Sequence, residues 1–101
     1  SMTMAKQNQD ENLITLVDEQ GNETLYQELF NFHSDDYDKS YILLIPAGSE
    51  PEEQVDVLAF AFNPDENDDS QDYELFDIES DEEWEMVEGV LDTFLNDENM
   101  R

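Results

Sequence analysis

A chain of 101 residues with 29 acidic and three basic side chains, and a formal net charge of −26 at pH 7, supports one domain with one modest core. The negative field opposes direct binding to nucleic acid and to anionic membranes, and it suits either plain solubility or binding to a basic protein. The absence of cysteine excludes disulfides, thiolate metal ligands and cysteine nucleophiles.

The start of the chain carries no structural pattern. Residues 1–12 are polar and unpatterned, which predicts a disordered N-terminal tail. They also lack the apolar core of a signal peptide, and no apolar run in the sequence is long enough to span a bilayer. We therefore expect a cytoplasmic protein.

The first folded element is predicted to be a β-hairpin. Leu13–Val17 is rich in β-branched residues, which is typical of a strand. Glu19–Asn22 is a turn signal, and Glu23–Phe32 returns as the partner strand. The apolar residues of this second strand change phase along its length. A bulge or sharp bend near Glu28 would explain the change, because one extra residue exchanges the two faces of a strand.

Two further strands are predicted in the middle of the chain. Tyr41–Ile45 is apolar on both faces, which favours a central strand covered by a helix on one side and at least partly covered on the other. Val55–Phe62 alternates between two faces, one of which carries the small residues Ala59 and Ala61. These small side chains suit close approach by a helix.

The last part of the chain predicts a strand followed directly by a helix. Tyr73–Ile78 has the composition of a strand. Ser80 is placed to cap the first free N–H groups of the helix, and Glu83 is placed to close a capping box. The apolar residues that follow recur at helical spacing and predict one buried face; they are Trp84, Val87, Leu91, Phe94 and Leu95.

Together these elements predict a single α+β domain, an antiparallel four- to five-stranded β-meander with one C-terminal helix packed on one face. The domain is expected to span residues 13–96. It would lie between the disordered tail at residues 1–12 and a frayed C-terminus at residues 97–101.

No stretch of the sequence amounts to a catalytic or cofactor-binding motif. His33 is the only histidine, so a catalytic triad or a histidine-based metal site lacks partners. No serine has a histidine or lysine plausibly placed to activate it. The three glycines form no phosphate-binding loop. We therefore predict a protein that is not an enzyme, with no catalytic residue and no cofactor.

The acidic segment Asn63–Asp72 is the one place where a metal-binding pattern can be tested. The sixth position of the calcium-loop pattern is Tyr73, where the sharp turn requires glycine. We therefore predict no metal site, and only loose association with divalent cations. The residues that do match the pattern, at its first, third, fifth and twelfth positions, are Asp68, Ser70, Asp72 and Glu79.

Three segments together resemble a known family. They are Ile14–Glu23 in the hairpin, Tyr41–Pro46 in the central strand, and Asp81–Glu85, with its Glu-Glu-Trp-Glu element, at the start of the helix. Through them the chain resembles, over roughly residues 13–96, the YrzB-like family of small acidic bacterial proteins, a domain of unknown function. The resemblance implies no assigned activity, so no functional residue is carried over. The acidic loop is longer here than in that family.

Two functions from different classes remain open. The leading hypothesis is a non-enzymatic interaction module that binds a basic protein partner through its acidic surface. The alternative is a small metal-dependent hydrolase or divalent-cation-binding protein that uses the acidic loop 63–72. The candidate partner-binding residues lie in that loop and on the polar face of the helix: Asp65, Glu66, Asp68, Asp69, Asp72, Glu82, Glu85, Glu88 and Asp92.

The loop sequence predicts that calcium does not bind tightly. In about 0.1 M salt, which screens weak surface attraction, isothermal titration with Ca²⁺ should show no binding in the micromolar range. A stoichiometric micromolar event that Asp68→Ala and Glu79→Ala both abolish would instead establish the metal-dependent alternative.

Overall fold

The computed structural model describes residues 2–7, 12–50, 54–63 and 72–99, which form six β-strands and one α-helix. The predicted α+β class is therefore confirmed. The helix, α1, is Asp81–Asn99. The strands, in chain order, are β1 Met2–Gln7, β2 Leu13–Val17, β3 Glu23–Ser34, β4 Lys39–Pro46, β5 Leu58–Phe62 and β6 Asp72–Phe76.

The strands close into a barrel. Each strand pairs antiparallel with its neighbours in chain order, and β1 also pairs antiparallel with β6, where Thr3 lies opposite Leu75. This corrects the expected open meander of four or five strands, because the sheet has six strands and its two ends meet. Among the described strands, closure leaves none as an unpaired edge.

The closing strand, β1, lies where a disordered tail was expected. Residues 2–7 pair with β2 on one side and with β6 on the other. Ala5 is fully buried, whereas Met4 and Lys6 are exposed. One small buried residue between an exposed methionine and an exposed lysine produces no apolar pattern, and the hydrogen bonds to two flanking strands satisfy the backbone of β1 instead. Residues 1 and 8–11 of the expected tail lie outside the described residues.

The predicted hairpin and the predicted irregularity of its second strand are both confirmed. Gly21 adopts a φ of 87° in the turn between β2 and β3, a conformation open to glycine without strain. The pairing of β3 with β4 shifts register between Glu28 and Phe30. Before the shift, Tyr26 packs against the barrel interior; after it, Phe30 and Phe32 pack against an outer layer. The bulge thus lets one strand contribute aromatic rings to two cores.

The central strand, β4, is shared by two hydrophobic layers. Ile42 and Leu44 point into the barrel interior, and Tyr41 and Leu43 point into the outer layer beneath α1. All four side chains are at most 2% exposed. This confirms the prediction that Tyr41–Ile45 is a strand covered on both sides.

Helix α1 packs on the outside of the barrel. Val87 is buried in the outer layer together with Ala59 and Ala61 of β5. Phe94 stacks on Phe30 of β3, with ring centroids 4.4 Å apart. The predicted placement of the helix on one face of the sheet is therefore confirmed.

The helix is longer and less completely covered than predicted. It runs to Asn99, past the expected boundary at residue 96, while residues 100 and 101 lie outside the described part of the chain. Trp84 and Leu95, both members of the predicted buried stripe, are 38% and 44% exposed. In the part of the chain that the structure describes, no helix combines the length and apolarity needed to cross a membrane.

The packing of α1 generates a stability prediction. Leu91 is partly buried against the outer layer, and truncating it would leave a cavity, so Leu91→Ala should lower the free energy of unfolding by about 2 kcal/mol. Glu88 lies on the exposed side of the same helix, and Glu88→Ala should change that free energy by less than about 0.5 kcal/mol. Chemical denaturation that gave equal, small changes for both variants would show that the fold does not depend on the docked helix.

Candidate partner-binding site

Glu83 is a carboxylate buried at the start of α1. Only 7% of its surface is exposed, although acidic side chains are rarely buried unless they are paired. Its backbone N–H donates to Ser80 Oγ at 3.1 Å, which confirms Ser80 as the predicted N-cap. The capped first turn thus holds a buried carboxylate against the barrel.

Three donors surround the Glu83 carboxylate. The Tyr41 hydroxyl donates at 2.6 Å, Lys39 Nζ at 3.3 and 3.4 Å to the two oxygens, and the Ser80 hydroxyl at 3.2 Å. The hydrogen bond from Tyr41, followed by the contacts with Lys39, holds the pKa of Glu83 below its ordinary value of 4.5. Burial, and then the hydrogen bond to Glu83, raises the pKa of Tyr41. We call Lys39, Tyr41 and Glu83 the docking cluster.

The docking cluster joins two elements that are far apart in the chain. β4 supplies Lys39 and Tyr41, and α1 supplies Glu83. Lys39 and Glu83, which form the ion pair, are 44 residues apart in the chain. The ammonium and the carboxylate lie 3.3 Å apart. A carboxylate that is held ionised and already accepts three hydrogen-bond donors is a poor general base. The cluster therefore positions the helix rather than performing chemistry.

A histidine and a serine meet beside this cluster. His33 and Ser40 are opposite each other in the β3–β4 register, and His33 Nδ1 lies 3.1 Å from Ser40 Oγ. The sequence placed no histidine where it could activate a serine, but antiparallel pairing brings these two side chains together, because it joins positions that the sequence separates. Ser40 is only 6% exposed, and His33 Nε2 is 3.6 Å from the nearest oxygen of Asp38. The pair lacks the accessible nucleophile and the hydrogen-bonded third group of a triad.

The β3–β4 turn brings further acids to the start of the helix. Residues 35–38 form this turn, in which Asp38 adopts a φ of 53°, a left-handed conformation that aspartate tolerates. Desolvation, and then the negative charges of Glu82 and Glu83, raises the pKa of Tyr37 in the same turn. The turn and the first turn of α1 therefore form one acidic region.

A cavity of about 640 Å³ opens at this end of the barrel. It lies where the paired positions His33, Ser40 and Phe62 come together on three adjacent strands. The residues that line it include two phenylalanines, three acids and two basic residues: Phe62, Phe76, Asp38, Asp77, Glu79, His33 and Lys39. We call it the barrel-end cavity.

The predicted partner-binding residues of the helix are all exposed. Spacings of three and four align Glu85, Glu88 and Asp92 on one side of α1, opposite the buried Val87. None of the 19 residues of the helix is Lys or Arg. We call the four predicted residues the acidic helix face: Glu82, Glu85, Glu88 and Asp92.

The predicted loop residues are described only at the end of the loop. Asp72 is the first residue of β6, and Glu79, the last position of the calcium pattern, is exposed between β6 and α1. Within the described ranges, no three His, Asp or Glu side chains are grouped so as to hold a metal ion. The other predicted residues lie outside the described residues: Asp65, Glu66, Asp68, Asp69 and, from the calcium pattern, Ser70.

Neither the docking cluster nor the barrel-end cavity was predicted from the sequence. One signal was available for the cluster: Lys39 is one of only three basic residues, so a carboxylate partner could have been sought for it. No comparable signal marks Phe76 and Glu79, because they join Phe62 only when β6 pairs with β5.

Fold and site together define a class, a small acidic domain in which a closed antiparallel barrel carries one helix on its outer face. The chain belongs to the family described as "Protein of unknown function (DUF1292)", whose model matches residues 19–96. This confirms the resemblance to a family of small bacterial proteins of unknown function, under a name other than YrzB.

Curated relatives match most of the chain. The chain is 55% identical over 96 residues to a UPF0473 protein of Leuconostoc mesenteroides, covering 95% of this chain and 97% of that protein. It is 61% identical over 88 residues to a UPF0473 protein of Latilactobacillus sakei, covering 87% and 85%. A UPF0473 protein of Pediococcus pentosaceus is 59% identical over 90 residues, covering 89% and 95%. No solved structure matches the chain.

From the docking cluster we predict that Glu83 stabilises the fold, although the protein is highly acidic. Removing a negative charge should generally relieve repulsion, but Glu83→Ala would leave the buried Tyr41 hydroxyl without its acceptor. The free energy of unfolding should therefore fall by about 2 kcal/mol. Glu82→Ala, at the exposed neighbouring position, is the matched control and should change it by less than about 1 kcal/mol, because it loses a favourable interaction with the helix dipole but relieves repulsion.

The same cluster makes this effect depend on pH in a defined direction. Because folding lowers the pKa of Glu83, the unfolded chain takes up the proton first as the pH falls. The contribution of Glu83 is fully present above its ordinary pKa of 4.5 and is lost as the pH falls through the lower folded value. Unfolding curves of the wild type and Glu83→Gln should thus converge in acid. A constant difference at every pH would show that the charge of Glu83 is not what stabilises the fold.

Proposed function

We propose that this protein is a cytoplasmic, non-enzymatic interaction module that binds a basic protein through its acidic helix face. The net charge of −26 attracts a cationic partner and accelerates its encounter with the surface. The same charge repels nucleic acid and anionic membranes.

The observation that carries the proposal is the charge distribution along α1. Acids four residues apart, such as Glu88 and Asp92, repel each other by roughly 0.2–0.5 kcal/mol per pair. A helix that served only packing and solubility would gain stability from interspersed Lys or Arg, and this one has neither. A basic partner would convert the repulsion into attraction, so the cost in the free protein is offset on binding.

The attachment of the helix supports a localised interface. Val87 and the docking cluster fix the inner face of α1 on the barrel. The acids of the outer face are therefore held in one arrangement, which lowers the entropy lost when a partner binds them.

The proposal predicts that binding depends on a particular set of acids. Two variants each remove four negative charges by changing Glu to Gln and Asp to Asn, which keeps side-chain size. Proteins captured from a native bacterial lysate and eluted with salt should bind the wild type and the loop variant, but not the helix variant. The helix variant changes Glu82, Glu85, Glu88 and Asp92; the loop variant changes Asp65, Glu66, Asp68 and Asp69.

The matched number of charges is the control for simple electrostatic attraction. Circular dichroism should show both variants folded, since the four helix positions are exposed. If the two variants lost binding equally, or if both bound like the wild type, the acidic helix face would be a solvating surface and the proposed function would be rejected.

A further inference from the structure

We propose further that the barrel-end cavity binds one lysine or arginine side chain of the basic partner. This inference rests on the proposed function, because it names where a single residue of that partner would bind.

The cavity presents aromatic surface to a cation. Phe76 is 41% exposed although it is a large apolar residue, and the partly buried Phe62 lines the same cavity. Phe76 lies opposite Ala61 in the β5–β6 register, at the margin of the outer layer that α1 covers. A cation within about 6 Å of an aromatic ring is attracted to the face of that ring. An exposed ring beside carboxylates therefore suits an ammonium or guanidinium group.

Carboxylates in the lining supply the opposite charge. Glu79 is exposed, and the side chain of Asp38 is 96% exposed, so both can turn toward a bound cation. Their hydrogen bonds to it would be charge-assisted and stronger than neutral ones. Two basic residues also line the cavity. Lys39 opposes a cation only weakly, because its ammonium is paired with Glu83 at 3.3 Å, and His33 Nε2 lies 3.6 Å from Asp38 Oδ1.

A lysine or arginine side chain suits both the aromatic surface and the carboxylates of the cavity. Its aliphatic stem covers apolar surface while its charged end stays among polar groups. The stem would lie along the exposed ring of Phe76, and the charged end would meet Glu79 or Asp38. The cavity volume of about 640 Å³ is within the range of ligand sites. The net charge of −26 disfavours an anion in the same place.

The cavity is also adjacent to the proposed interface. Glu79 precedes Glu82 of the acidic helix face by three residues, with the N-cap Ser80 between them. The β3–β4 turn with Asp38 lies beside the same helix start. A polypeptide bound along the acidic helix face could therefore place one of its side chains in the cavity.

Hexaarginine is the probe that tests this inference. It is titrated into the full-length protein at about 0.15 M salt, which screens diffuse attraction, and amide NMR shifts report affinity and location. Phe76→Leu keeps an apolar side chain and removes the ring. Glu79→Gln removes one charge from the cavity, and Glu23→Gln removes one from an exposed position at the far end of β3.

We expect Phe76→Leu and Glu79→Gln each to weaken binding by about three- to tenfold. Glu23→Gln should weaken it less than about twofold. Phe76 lies in β6, so the amide spectrum of Phe76→Leu is first used to check that this variant is folded. Glu79 is exposed, so Glu79→Gln tests the cavity even if Phe76→Leu does not fold.

The remaining outcomes separate this inference from the proposed function. If both cavity variants bind like the wild type and only the four-residue helix variant fails, the cavity inference is overturned and the proposed function stands. If every variant, including Glu23→Gln, weakens binding equally, or if the wild type does not bind, both are overturned.

Discussion

The structure depends on the burial of β4 on both of its faces. Tyr41 and Leu43 need cover on one side, and Ile42 and Leu44 need it on the other. Closure of the barrel covers Ile42 and Leu44, and the docked helix covers Tyr41 and Leu43. Burial of large apolar side chains is the main favourable term available to a chain whose charge resists compaction. The two layers are therefore expected to form together, because each is incomplete without the shared strand.

The docking cluster adds a polar contact to this apolar arrangement. The apolar packing between α1 and the outer layer is non-directional, so it does not by itself fix the position of the helix. The hydroxyl of Tyr41, at the polar end of an otherwise buried ring, has its acceptor in Glu83 at 2.6 Å. Since a buried hydroxyl without an acceptor is costly, this contact favours one position of the helix over others. Lys39 pairs with the Glu83 carboxylate and offsets its negative charge.

The proposed function depends on the face of α1 that points away from the barrel. The inner face of α1 is apolar and closes the second core, and its outer face is acidic and open to a partner. The barrel-end cavity lies at the start of the helix. It is surrounded by the β3–β4 turn, the ends of β5 and β6, and the segment before α1. Loops held by a rigid scaffold are common places for binding residues. Here the docking cluster, which includes Glu83, fixes that scaffold directly beside the cavity.

The sequence by itself determined the features that depend on neighbouring residues. The hairpin after Leu13–Val17, the bulge near Glu28, the two-sided strand and the Ser80 cap all follow from local periodicity and turn or capping chemistry, and the structure confirms each. Only the tertiary structure decided that the sheet closes, that β1 is a strand, that Lys39 and Glu83 pair, and that Phe76 joins Phe62 in one cavity. The physical reason is that these features arise between segments distant in the chain. Their stability comes from backbone pairing and from partners on other elements, which leave no periodic pattern in either segment alone.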